Sequence, residues 1–125
     1  MDWSNSTLEV KNNSNYKITV LYSNSKKEAH TENQIEFFTS DNQTIYPNTS
    51  KPISISGKPE AWHNYINEGL TKKLYIYVFS VDTILKYKDH YSINDFVYKH
   101  QYLKLLEFSE KQLIDNKWQV TFQGN

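Results

Sequence analysis

"KKLYIYVFSVDTILKY", residues 72–87, is the most apolar stretch of an otherwise polar chain, and its reading decides the fold. Three roles suit such a stretch: the wall of a binding site, a membrane contact, or the middle of a core. Leu74, Ile76, Val78 and Ser80 alternate with Tyr75, Tyr77, Phe79 and Val81. Alternate residues of a strand share a face, so both faces of this one are apolar. That is the pattern of a central strand covered on both sides, and residues 74–81 are expected to be buried. "VDTILKY" then starts a helical turn with Asp82 as N-cap, which makes residues 82–84 the exposed exit of the strand.

Strand signals surround this centre. "STLEVKN" and "YKITVLY" both alternate, and "NNSN" between them is a turn signal, so residues 7–22 read as a β-hairpin. "SNSKKEAHTEN" (23–33) reads as an exposed loop and "QIEFFTS" (34–40) as a weaker strand. "TIYPNTSKPISISG" (44–57) reads as a short strand, a Pro-Asn turn, and a strand carrying Ile53 and Ile55 on one face. In "KPEAWHNYINEG" (58–69), Pro59 suits the first helical position and Gly69 the end. There Trp62, Tyr65 and Ile66 fall on one helical face. Ser92 with Asp95, and Ser109, are capping signals for two short helical segments. "QYLKLLEF" (101–108) and "WQVTFQ" (118–123) read as strands. The fold class expected is mainly β: a two-layer antiparallel β-sandwich with two or three short helices in its connections. Residues 7–123 form the single domain, with tails at 1–6 and 124–125.

Composition narrows the function. The chain has 125 residues, enough for one domain with its own core. Its 14 basic residues are all lysine and are balanced by 14 acidic ones. A neutral chain without arginine lacks the charge excess and the planar guanidinium that nucleic-acid binding uses. With no cysteine there is no disulfide, no thiolate metal site and no thiol nucleophile. No stretch reaches the ~20 apolar residues of a spanning helix. "MDWSNSTLEV" has neither a basic start nor an apolar run, so the chain reads as cytosolic or as a mature form whose signal has been removed.

The order of four stretches resembles that of short lipoproteins from Bacteroidetes genomes. "LEVKNNSNYKITVLYS" is similar to their first hairpin, and "AWHNYI" to their Trp-centred segment. "LYIYVFSVDTILKY" resembles their apolar strand running into an Asp-Thr-Leu-like turn. "YLKLLEFSEKQLIDNKWQVTF" resembles their ending. Two departures stand out: Ser80 replaces a usually acidic residue, and Met1 stands where those proteins begin with a lipidated cysteine. The resemblance implies a place in the cell envelope, at the periplasm or outer-membrane surface, with membrane attachment only through a lipid anchor that this chain lacks. It implies no activity.

Asp82-Thr83-Ile84 resembles the Asp-Ser/Thr-aliphatic sequence that Bacteroidetes use for O-glycosylation, with Thr83 as the acceptor; the plainer reading is a capped turn. Asn5, Asn12, Asn42 and Asn48 each fit Asn-x-Ser/Thr, a pattern an Asn-rich chain meets by chance. His30, His63, His90 and His100 lack metal-ligand spacing. Asp89, His90 and Ser92 have the residue types of a nucleophile triad without a geometry to join them. No glycine-rich phosphate loop is present among three glycines. These observations point to no catalytic residue, no cofactor and no metal. Trp62 and Trp118 read as core. Tyr87, Tyr91, Tyr98 and Tyr102 lie in a less regular region where a recognition surface is easily built.

Three functions fit: a non-enzymatic binding or structural protein of the envelope, an immunity protein that neutralises a competitor's toxin (in the cytoplasm if its target is there), and a carbohydrate-binding module. The partner expected is a protein or a glycan.

Overall fold

A computed structural model describes residues 7–25, 35–54 and 61–124. Its order is β1 (Thr7–Asn13), β2 (Ile18–Ser23), α1 (Ile35–Thr39), β3 (Ser50–Ser54), α2 (Ala61–Glu68), β4 (Lys73–Ser80), α3 (Val81–Lys86), α4 (Ile93–Tyr98), β5 (Lys104–Ser109), α5 (Glu110–Asp115) and β6 (Gln119–Gln123). The protein is β-rich, with two three-stranded sheets ordered β3-β1-β6 and β2-β4-β5.

β4 is the middle strand of its sheet, and residues 74–80 are all buried. Leu74, Ile76 and Val78 enter one apolar cluster with Leu8, Val10, Val120 and Phe122 from the other sheet and Trp62, Ile66 and Leu113 from α2 and α5. Tyr77 and Phe79 enter a second cluster with Phe38 of α1, Ile84 of α3, and Ile93, Phe96 and Val97 of α4. The period-two pattern of β4 therefore feeds two separate cores, one on each face of its sheet.

The expected hairpin does not form. β1 pairs antiparallel with β3 and parallel with β6, whereas β2 pairs with β4. The chain passes from one sheet to the other through a turn organised by buried Asn12. Its Nδ2 donates to the carbonyls of Tyr16 (2.7 Å) and Ile45 (2.9 Å). Its Oδ1 accepts from the backbone N–H (3.0 Å) and hydroxyl (2.5 Å) of Ser14. Alternation marks each strand but does not name its partner. The parallel β1–β6 pair likewise departs from an all-antiparallel arrangement.

The segment expected as a weak strand at 34–40 is α1. Ile35 and Phe38, three apart, meet the second cluster, and the Thr39 hydroxyl donates back to the Ile35 carbonyl at 2.8 Å. Packing on α3 outweighs a β-compatible composition. With α1 added to the helical segments expected from the sequence, five helices stand among the described residues rather than two or three. α3 follows β4 without a loop, so its N-cap is the last strand residue, Ser80, and not Asp82. The Ser80 hydroxyl accepts from Thr83 N–H, while Asp82 pairs with Lys17 at 3.4 Å. The caps at Ser92 and Ser109 form as expected, both as reciprocal capping boxes with Asp95 and Gln112.

α2 places Trp62 and Ile66 in the first core, with Tyr65 packed against it. Gly69 follows this helix for reasons of space: a Cβ there would lie 2.6 Å from the Asn24 carbonyl oxygen. Pro59, Ile55, Asn5 and His30 lie outside the described residues, as do the tail at 1–6 and most of the 23–33 loop. Trp118 is buried but stands just ahead of β6, in left-handed backbone together with Lys117 (φ 59° and 58°). Its N–H donates to the Leu113 carbonyl (2.7 Å) and its carbonyl accepts from Glu9 N–H (2.9 Å), so hydrogen bonds on both sides hold a conformation that bulky residues disfavour.

Candidate functional site

Three of the four tyrosines, Tyr87, Tyr91 and Tyr102, pack against the second core, and Tyr98 is exposed at the end of α4. Tyr87 follows α3 and Tyr91 precedes α4. Their rings stack at 5.4 Å with 26° between planes. Lys86 Nζ lies 5.4 Å from the Tyr87 centroid and Lys99 Nζ lies 5.4 Å from that of Tyr91. Tyr91 also meets Phe96 edge-on at 5.4 Å. These two rings spend their faces on each other and on ammonium groups.

A second group surrounds Tyr77, which is buried in β4. Tyr102 meets it edge-on at 5.3 Å. Tyr102 also lies against His100, with its hydroxyl 3.2 Å from Nδ1. Burial pushes the Tyr77 phenol up to about 12, and Tyr102, Tyr75 and Tyr98 add smaller contributions in the same direction. Tyr98, the last residue of α4, is 55 % exposed, and Leu103 just before β5 is 38 % exposed. Tyr98, Tyr102 and Leu103 therefore offer aromatic and apolar surface at the approach to β5, supported from beneath by a packed ring.

The remaining candidates separate. Thr83 is half-buried in the first turn of α3, not in an open turn, and the neighbouring Ile84 is fully buried. Asn12 is buried with its amide engaged, whereas Asn42 and Asn48 are exposed. Ser92 gives its hydroxyl to the α4 cap, while Asp89 and His90 are exposed.

A further cluster joins residues remote in sequence. His63 Nδ1 of α2 lies 2.5 Å from Glu110 Oε2 at the start of α5. Asn67 Nδ2 donates to Glu110 Oε1 (3.2 Å) and to the His63 carbonyl (2.8 Å). Both carboxylate oxygens are engaged, and the cluster ties α2 to α5. The i,i+4 spacing of His63 and Asn67 was visible in the sequence, but nothing local announces a partner 47 residues away.

No family model, curated protein or solved structure matches the chain. Among the described residues, no helix is long and apolar enough to cross a membrane.

Proposed function

We propose that this chain is a non-enzymatic binding protein of the bacterial cell envelope, carried in its native form by a lipid anchor, and that Tyr98, Tyr102 and Leu103 form the centre of its recognition face for another protein. The envelope assignment rests on the resemblance to Bacteroidetes lipoproteins. The two sheets are taken as the layers of a sandwich, because β1 and β6 share one apolar cluster with β2 and β4.

The observation that carries the binding reading is the exposed Tyr98 and Leu103 beside Tyr102, which is held against buried Tyr77. An amphipathic aromatic surface on a rigid support is suited to recognition at small entropic cost. A protein is favoured over a sugar because the Tyr87 and Tyr91 faces, which a sugar ring would stack on, already face one another and two lysines.

A photo-crosslinking residue in place of Tyr98 in the native cells tests this, with the same residue in place of Lys111 as a control. One discrete cross-linked protein at position 98 and none at 111 is expected. No cross-link at 98, or the same products at both positions, sinks the recognition face. Cell fractionation with intact mass of the N-terminus tests the anchor. A soluble cytosolic form beginning at unmodified Met1 overturns the envelope reading and favours the immunity role.

A further inference from the structure

We infer that the outer edge of β5 receives an extended strand from the partner protein, continuing the β2-β4-β5 sheet. This rests on the binding reading and specifies the form of the partner.

The two edges of that sheet differ. Beyond β2, Ile45 exchanges backbone hydrogen bonds with Ile18 (2.8 and 3.0 Å), and Ile18, Thr19, Val20 and Leu21 are buried. On the other side, no described strand pairs with the outer edge of β5. Its apolar side chains are half-buried on both faces: Leu105 against the second core, Leu106 and Phe108 against the first. Val120 and Phe122 on β6 are buried, and on the remaining edge strands Ile53 of β3 and Tyr22 of β2 are half-buried, each on one face only, whereas β5 carries half-buried apolar residues on both faces.

That two-sided exposure selects the occupant. A helix or a flat protein face laid on the sheet would cover one face only. An added strand takes up the outward N–H and C=O groups of β5 and sends its own side chains alternately to both faces, where they meet Leu105 on one and Leu106 and Phe108 on the other. Tyr102 and Leu103 directly precede β5 in the chain, and Tyr98 ends α4. Lys104 is exposed with no ion pair among the described residues, so an acidic residue in the incoming strand is expected opposite it. Edge strands left open in this way are ordinarily guarded or used. Lys104 and Glu107 guard this one lightly, and Glu107 is already paired with Lys73 at 2.7 Å.

The test is selection of short random peptides, displayed on phage, against the full chain. Enriched peptides are expected to alternate apolar residues around an acidic one and to shift the backbone amide resonances of Lys104–Ser109. N-methylation at alternate backbone positions should weaken them by about tenfold or more and leave the intervening positions unaffected. Lys104→Glu should weaken the acidic peptides by about tenfold and leave the fold intact. Failure to enrich any peptide, shifts confined to residues away from β5, or indifference to N-methylation overturns the inference. The outcomes remain separable from those of the binding reading. A cross-link at Tyr98 to a protein that leaves β5 amides unshifted keeps that reading and removes strand addition. Peptides that pair with β5 while Tyr98 captures nothing in cells remove the recognition face instead.

Discussion

Ile76 and Tyr77 are adjacent in the chain and lie in different cores, Ile76 among side chains from both sheets and Tyr77 beneath α1, α3 and α4. Truncation on either side should therefore be costly and independent. Ile76→Ala is expected to lower stability by about 2–4 kcal/mol, as is Phe96→Ala on the other face, from lost burial and the cavity left behind. With no shared cluster, the double variant should approach the sum of the two. Urea denaturation of the three variants measures this; near-zero loss at Ile76 would place β4 at the surface.

Asn12 links the two sheets by satisfying two carbonyls and the Ser14 hydroxyl in a buried turn. Asn12→Ala leaves the Tyr16 carbonyl without this donor and the Ser14 N–H and hydroxyl proton without this acceptor, at about 1–3 kcal/mol each where water does not enter, while the Ile45 carbonyl keeps the Ile18 N–H. A total loss of about 2–4 kcal/mol is expected. Asn12→Asp should be no better, since a carboxylate cannot donate to the Tyr16 and Ile45 carbonyls. A loss of unfolding free energy below about 1 kcal/mol in urea denaturation would show that the turn has another support.

The Tyr77 phenol is raised from about 10 to about 12. Because its folded value exceeds the unfolded one, folding favours the protonated form. The corresponding stability is complete below about pH 10 and is lost as pH rises through about 12. Two units correspond to about 2–3 kcal/mol. Absorbance titration should show one late phenol that Tyr77→Phe removes, and the variant should lose less stability between pH 10 and 12 than the parent. An unchanged titration would contradict the burial of this hydroxyl.

Lys117 is exposed and held at φ 58°. Glycine adopts this conformation without the side-chain clash, so Lys117→Gly should raise stability by about 0.5–1 kcal/mol. Ser109→Ala, only a few residues earlier, should lower it by about 1 kcal/mol through loss of the α5 capping box. Thermal denaturation of the pair gives opposite signs if both local geometries are as described.

The candidate surface was legible in part. The position of Tyr98 and Tyr102 in an irregular, tyrosine-rich segment drew attention to them, and both stand at the approach to β5. The same reasoning did not separate them from Tyr87 and Tyr91, because ring stacking and overlying lysines depend on how α3 and α4 meet. Of the His63–Glu110–Asn67 cluster only the i,i+4 spacing of His63 and Asn67 is local; Glu110 joins it through contact between α2 and α5.

By itself the sequence determined what depends on near neighbours: the alternation that makes β4 apolar on both faces, the one-sided face of α2, and the serine caps of α4 and α5. These rest on side-chain direction and on hydrogen bonds spanning three or four residues. Only the tertiary structure decided which strands pair, that β1 and β6 run parallel, and that residues 35–39 coil instead of extending. It also decided that β5 lies at the edge of its sheet, with no described strand on its outer side. Each of these outcomes turns on burial against residues distant in the chain, and that energy is the same for several local arrangements until the partner surface is in place.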